Sequence, residues 1–252
     1  DIMDENVLFA KTMDDQEEVA KTIRKYGLVA IPIIDHENCL VGIVTVDDAM
    51  LVMQDETTED ISIMAGVSPN EDSYFGTSVF QHAKNRTLWL MLLMLSATVS
   101  GEILAHYEDA MAAMPILITF IPMLMGTSGN SGSQSSTMVI RGLAVGEIRF
   151  KDFFKVLFKE LRIALLVGTL LAVVNGIRVY LMYDQDLMLA VSIGVTMIGI
   201  VCMAKCVGCV LPLLAKKIGL DPALMAAPLI STIMDTCTIL LYFAIITSIY
   251  RM

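Results

Sequence analysis

The chain has 252 residues, of which 56% are hydrophobic, and it carries a formal net charge of −10. A soluble domain is about 45–50% apolar, so the excess of apolar residues indicates segments that lie in a membrane. The acidic balance argues against a nucleic-acid-binding protein, because such proteins neutralise phosphates with Lys and Arg.

Charge and hydrophobicity are divided unevenly along the chain. Residues 1–72 contain 17 acidic and 4 basic side chains, whereas residues 73–252 contain 10 acidic and 13 basic ones. Long apolar runs begin only at Leu88. The sequence therefore predicts an acidic soluble segment followed by a membrane segment, and carboxylate-rich surfaces of this kind suit divalent cations.

The soluble segment has the pattern of a small β-α-β-β-α unit. The expected elements are a strand over 7–12, a helix from about Gln16 to Tyr26 capped by Asp14 or Asp15 and ended by Gly27, strands over 28–34 and 40–46, and a helix through Gln54. A unit of about 50 residues is small for a core of its own, so we expect it to pair with a second copy. We also expect the chain to lack an N-terminal part.

The stretch over residues 31–50 resembles the second half of a CBS (cystathionine β-synthase-like) motif. Its GxVTxxD pattern falls on Gly42, Val44, Thr45 and Asp48. Such motifs work in tandem pairs that often bind adenine nucleotides. The resemblance implies that Thr45 and Asp48 belong to an ATP site, which is incomplete without the partner copy.

The remaining sequence predicts the domain order. We expect the CBS half over 1–55, a linking helix over 56–86 and a transmembrane domain over 87–252. Five apolar stretches are long enough to cross a hydrocarbon core of about 30 Å; they cover 87–106, 112–140, 161–183, 187–214 and 223–250. The predicted fold class is an α-helical membrane protein with five transmembrane helices, preceded by a partial α+β CBS domain and a linking helix.

Basic residues near the ends of the spans predict the orientation. Ten of them fall on one side: Lys84, Arg86, Arg141, Arg149, Lys151, Lys155, Lys159, Arg162, Lys216 and Lys217. The other side has only Arg178 and Arg251. The positive-inside rule then predicts a multi-pass protein of the cell inner (plasma) membrane with a cytoplasmic N-terminus and an external C-terminus. The amphipathic connector over 145–162 is predicted to lie along the inner interface.

The second span is unusually rich in glycine and polar residues. Gly126, Gly129, Asn130, Gly132 and Gln134 are predicted to line an ion pathway, because amides inside a membrane need partners or water. A tightly packed helix interface is the alternative explanation for the glycines.

The fifth span contains one acidic residue, Asp235. A carboxylate at this depth is costly and is usually functional. Two such carboxylates in a symmetric dimer would suit Mg²⁺, which keeps several of its waters. The alternative is an ion pair with Lys205 of the fourth span, whose charge otherwise repels cations or snorkels to the interface.

Together these patterns resemble the MgtE family of magnesium transporters over essentially the whole chain. The pattern PxxxGxxGNxGxQ covers residues 122–134, TEDI covers 58–61 and DPAL covers 221–224. The resemblance implies a non-enzymatic homodimer with a central pore, in which Asp235 binds hydrated Mg²⁺.

The resemblance also implies regulation by Mg²⁺, which closes the pore by binding to the CBS domain and a connecting plug helix. The implied metal-binding acids are Asp15, Glu17, Asp48, Glu56, Glu59, Asp60 and Asp221. Leu51 stands where the family pattern has another acid, and Lys205 stands where it has an uncharged polar residue. The implied partners are a second copy of the chain, membrane lipid and divalent cations, without nucleic acid.

Two other functions remain open from the sequence. Residues 126–129 read GTSG, a match to the serine motif of intramembrane hydrolases. That chemistry needs a histidine base on a neighbouring helix, and none of His36, His82 and His106 lies in the third to fifth spans. The other alternative is a CBS-regulated carrier of a different ion.

Overall fold

The computed structural model describes residues 7–70 and 72–251, so the first six residues of the expected CBS half lie outside the described part. The chain forms two compact units that divide between Ser62 and Ile63. This division falls inside the segment predicted to link the CBS half to the membrane domain.

The first unit is a three-stranded sheet with two helices. Its elements are β1 Ala10–Lys11, α1 Gln16–Tyr26, β2 Ala30–Ile34, β3 Leu40–Thr45 and α2 Val46–Met64. Strand β1 pairs with β2 in parallel, and β2 pairs with β3 as the predicted antiparallel hairpin. The small core contains Ala20, Ile23, Ile31 and Ala49.

The ends of α1 follow the predicted capping residues. The carboxylate of Asp15 accepts hydrogen bonds from the backbone N–H groups of Glu17 and Glu18. At the other end, Gly27 adopts a φ of 62° and its N–H donates to the carbonyl of Ile23. Glycine adopts this left-handed conformation without a steric cost, which is why the helix ends there.

A single linking helix over 56–86 is not found. Helix α2 continues past Gln54 to Met64, and residues 65–78 contain no helix among those that the structure describes. Gly66, with a φ of 70°, ends the helical path, and Pro69 lacks the N–H that a continued helix would need. The next helix begins at Val79, where the side chain of Ser78 caps it by accepting from Gln81 N–H.

The second unit is helical throughout most of its described part. Its helices are α3 Val79–His106, α4 Glu108–Ala113, α5 Ile121–Ala144, α6 Phe153–Met182, α7 Leu187–Lys217 and α8 Ala227–Tyr250, with 3-10 turns at Pro115–Phe120, Phe150–Asp152 and Pro222–Met225. Helix α5 packs against α7 and α8, and α6 packs against α7. Helix α3 packs on α8, where the hydroxyls of Ser100 and Thr236 lie 2.6 Å apart and share a hydrogen bond.

Four helical segments of the described residues are long and apolar enough to cross a membrane, which makes this a multi-pass membrane protein. They are Val79–His106, Phe150–Met182, Leu187–Lys217 and Ala227–Tyr250. Helix α5 corresponds to the predicted second span and has 24 residues, but its glycines, serines and amides lower its mean hydropathy. The count of five spans therefore stays a prediction.

The connector over 145–162 runs into helix α6, and its predicted place along the inner interface stays a prediction. Gly146 has a φ of 75°, and helix α6 begins at Phe153 and continues without a break to Met182. No glycine or proline interrupts residues 153–167, so the helix has no reason to end at the predicted start of the third span.

Candidate functional site

Helix α5 has a buried face and an exposed face. Pro122, Gly126, Asn130, Gln134 and Thr137 are exposed and share one side of the helix, because they are spaced by three or four residues. The opposite side is buried and consists largely of small residues: Ser128, Gly129, Ser131, Gly132, Ser135 and Ser136. The exposed polar residues and the buried small residues of α5 therefore need separate explanations.

The buried glycines allow close helix packing. A Cβ atom on Gly129 would lie 3.2 Å from Ser231 Oγ of α8, and one on Gly132 would lie 2.7 Å from Ile230 Cγ2. A Cβ on Gly208 of α7 would collide with the backbone carbonyl oxygen of Gly132. Gly129 and Gly132 thus lie at helix contacts rather than on the exposed face. Gly126, in contrast, has open space around its Cα.

Hydroxyl groups join α5 to α8 along the same seam. Thr238 Oγ1 of α8 donates to Ser128 Oγ over 2.6 Å, and Ser136 Oγ donates to the carbonyl of Met225 in the 3-10 turn just before α8. Rising residue numbers in α5 meet falling numbers in α8, so the two helices are antiparallel. Asp235 lies between the contacts of Ser231 and Thr238, and it is therefore level with the middle of α5.

The side chain of Asp235 is half-buried. Within residues 7–70 and 72–251, neither its carboxylate nor the amides of Asn130 and Gln134 make a hydrogen bond or an ion pair. We use the name open polar face for Gly126, Asn130 and Gln134 of α5 together with Asp235 of the neighbouring helix α8. Oxygen-bearing side chains that have no protein partner on membrane helices call for water or a hydrated cation.

Lys205 does not pair with Asp235. Its ammonium lies 3.9 Å from Glu160 Oε2 of α6 and donates to Ser135 Oγ over 3.3 Å. Sequence reasoning missed Glu160, because it was counted in the amphipathic connector. The sequence does show a lysine in the fourth span that needs a counter-charge, but nothing in it singles out Glu160 as the partner.

The serine of the GTSG match has no general base among its described hydrogen-bond partners. Ser128 is 0% exposed, and its hydroxyl donates to the carbonyl of Met125 over 2.9 Å while it accepts from Thr238. A serine nucleophile needs a basic group within hydrogen-bond reach. Within the described part of the chain, Ser128 has no such neighbour among its hydrogen-bond partners.

Several of the acids that the resemblance assigns to metal cap helices instead of clustering. Asp15 caps α1, and Asp221 accepts from Ala223 N–H over 2.8 Å at the turn before α8. Asp48 accepts from both the hydroxyl of Thr45, over 2.6 Å, and its backbone N–H. These hydrogen bonds lower the pKa of Asp48 from the ordinary aspartate value of 3.8.

The other assigned acids lie on or beside α2. Glu56 accepts from Gln16 Nε2 over 3.1 Å, which brings it to the start of α1, and Glu17 forms an ion pair with Lys21 over 2.9 Å. Glu59 and Asp60 follow one turn later on α2. Among the described residues, no three acidic, histidine or cysteine side chains form a ready metal site.

Comparison with known proteins gives the family. The family model of the MgtE divalent cation transporters matches residues 121–245, and a CBS-domain model matches residues 1–55. The Magnesium transporter MgtE of Thermus thermophilus is 36% identical over 245 residues, which cover 97% of this chain and 54% of that protein. The proteins of the same name from Bacillus subtilis and Enterococcus faecalis are 35% and 34% identical, over 98% and 100% of this chain and 54% of each relative.

The chain spans about half the length of these curated relatives. The matching family and the relatives are described as transporters, in agreement with the expectation that this chain is not an enzyme. The matched range from 121 to 245 contains the whole open polar face and the α5–α8 seam. By this transporter domain and the CBS domain that precedes it, the chain belongs to the MgtE family.

Proposed function

We propose that this chain forms a homodimeric Mg²⁺ channel in the plasma membrane, with a pore lined by the open polar face. The observation that carries the proposal is the half-buried carboxylate of Asp235, which has no partner among the described residues although it lies on a helix suited to the membrane. A carboxylate in a membrane helix has a high desolvation cost, so it is usually present because it binds an ion. The name of the relatives, Magnesium transporter, supports Mg²⁺ as that ion.

Two copies of Asp235 make a better site than one. Mg²⁺ binds proteins through one or two carboxylates and retains several waters. A twofold axis beside the open polar face would bring two carboxylates together, and their combined charge would balance the ion. The amides of Asn130 and Gln134 would then contact the waters that the ion keeps.

The proposed topology has five spans, with α5 as the second. Helix α5 tolerates its low hydropathy because its small polar residues face α7 and α8, where Ser128 and Ser136 find hydrogen-bond partners. The excess of basic residues on one side supports a cytoplasmic N-terminus. We propose the domain order of a CBS half over 1–55, a linking segment over 56–86 and a transmembrane domain over 87–252.

We further propose that internal Mg²⁺ closes the pore by binding acids of the first unit and Asp221. The hydrogen bond from Gln16 brings Glu56 to the start of α1, where Asp15 and Glu17 follow each other closely. Two like charges about 4 Å apart repel by about 1 kcal/mol in water. Mg²⁺ that bridges such carboxylates removes the repulsion, so the ion favours the state in which they are close.

Nucleotide binding at Thr45 and Asp48 is a separate proposal. Their side chains bond to each other in this structure and cap α2. An adenine nucleotide would therefore have to compete with that bond, and the second CBS half would have to supply the rest of the site. ATP is for this reason the weaker ligand proposal, and Mg²⁺ is the stronger one.

The test of the pore is Asp235→Asn, which keeps the shape of the side chain and removes its charge. We expect Mg²⁺ uptake into proteoliposomes to fall by at least tenfold, because an attraction of about 1.4 kcal/mol or more would be lost. Asp184→Asn is the matched control, since Asp184 is an exposed aspartate in the loop after α6. Near-normal uptake by folded Asp235→Asn protein would move the ion site elsewhere.

A further inference from the structure

Lys205 is a charged residue in the interior of the helical bundle. It lies on α7, a segment apolar enough to cross a membrane, and it is only 4% exposed. An isolated charge in such surroundings is costly, and it persists only with a partner. The proposed pore and its gating acids give Lys205 no role. We therefore infer its role from the groups that it contacts.

Lys205 and its partners join three helices. The Lys205 ammonium of α7 lies 3.9 Å from Glu160 Oε2 of α6, whose side chain is 14% exposed. Ser135 of α5 bridges the pair, because its hydroxyl donates to the same Glu160 oxygen over 2.5 Å and accepts from Lys205 over 3.3 Å. Each of the three groups therefore has two polar partners, and we call the set the α5–α6–α7 clamp.

The clamp fixes the rotation of α5 about its axis. Ser135 is 1% exposed and directly follows Gln134, which is exposed. Successive residues in a helix differ by about 100° in direction, so holding Ser135 inward keeps Gln134 and Asn130 outward. On the same buried side, α5 is also held by the hydrogen bond between Ser128 and Thr238 of α8 and by that from Ser136 to the carbonyl of Met225 in the turn before α8. The exposed position of Asn130 and Gln134 thus depends on polar contacts along the buried side of the helix.

We propose that Glu160, Lys205 and Ser135 are positioning residues for cation passage, with Glu160 also cancelling the charge of Lys205 next to the pore helix. This inference rests on the proposed function of the open polar face. Without Glu160, the cation on Lys205 has no counter-charge and opposes the approach of Mg²⁺. Without the Ser135 hydroxyl, the ion pair remains but no longer holds α5.

The first arm of the test is Ser135→Ala, measured as Mg²⁺ uptake into proteoliposomes over a range of Mg²⁺ concentrations and in competition with Co²⁺ and Ni²⁺. Loss of one hydrogen bond corresponds to about a fivefold effect. We expect a change of about that size in the half-saturating Mg²⁺ concentration or in the ratio of the cation rates. A residue that only stabilised the fold would lower the unfolding temperature and leave both quantities unchanged.

The second arm is a double-mutant cycle on the ion pair. Glu160→Gln should lower uptake by at least tenfold, because the cation of Lys205 then has no counter-charge and repels Mg²⁺. Lys205→Met removes that cation, so it should mainly lower the unfolding temperature by leaving Glu160 without its partner. The double variant has no buried charge, and the amide introduced at position 160 can still accept from Ser135, so uptake should return to within about threefold of wild type. Asp152→Asn is the control, because Asp152 pairs with the exposed Lys155 over 3.2 Å at the start of the same helix.

Two results would overturn the clamp. One is a Ser135→Ala protein whose half-saturating concentration and cation ratios lie within about twofold of wild type. The other is a double variant no more active than the less active single variant. If a single charge variant does not fold, Ser135→Ala and the double variant still decide the matter. Failure of the wild-type protein to take up Mg²⁺ would instead refute the proposed function.

Discussion

Gly208→Ala tests the closest helix contact in the membrane unit. An added Cβ at this position would overlap the backbone carbonyl group of Gly132, which belongs to α5. A flexible side chain would turn away from such an overlap, whereas a helix backbone has no alternative rotamer. The substitution should therefore push α5 and α7 apart over the whole crossing.

The expected cost follows from two opposing effects. Overpacking a close contact costs about 1–3 kcal/mol, and the upper value applies because the obstacle is backbone. Alanine is a better helix former than glycine by about 1 kcal/mol. The free energy of unfolding should thus fall by about 2 kcal/mol, which for a unit of this size lowers the unfolding temperature by about 4–8 °C.

Thermal unfolding of the purified protein in detergent measures the effect. Gly101→Ala is the matched control, because Gly101 lies in a helix and a Cβ there meets nothing within 4 Å. The control should unfold at the wild-type temperature or slightly above it. If Gly208→Ala were as stable as Gly101→Ala, α5 and α7 would not pack through their backbones, and the proposed support of the open polar face would fail with them.

Two further predictions concern orientation and gating. In a background without other cysteines, a cysteine at Asp184 should react with an impermeant reagent added outside, and one at Lys155 should not; the reverse pattern would refute the orientation. Glu59→Gln combined with Asp60→Asn should weaken the inhibition of patch-clamp current by internal Mg²⁺, because fewer carboxylates remain for the ion to bridge. An inhibition curve identical to that of wild type would show that these acids have no part in gating.

Local signals made the first unit predictable. Asp15 and Gly27 determine the ends of α1 through their own backbone and side-chain bonds, and the structure confirms both ends. The hairpin of β2 and β3 was likewise predictable, because two β-branched runs flank a short turn. The continuation of α2 to Met64 was not, since its residues have no strong stop signal before Gly66.

The sequence could not predict which glycines of α5 pack against other helices and which are exposed. Gly126 and Gly129 look equivalent in the pattern, yet one faces open space and the other faces Ser231. The difference depends on where α7 and α8 pack, which is a tertiary property. The Lys205–Glu160 pair was hidden for the same reason, because its members lie on different helices and many other pairings fit the sequence equally well.

The hydrogen bond between Ser100 and Thr236 attaches α3 to α8 directly beside Asp235. Most of α3 is exposed within this chain, and its main attachment is to α8. Thr236 directly follows Asp235, so the first spanning helix is fastened beside the residue on which the proposed ion site depends. A tilt of α3 would therefore pull on α8 next to Asp235, through the hydrogen bond of Ser100 to Thr236. Force applied at the start of α3 would thereby reach the part of α8 that carries Asp235.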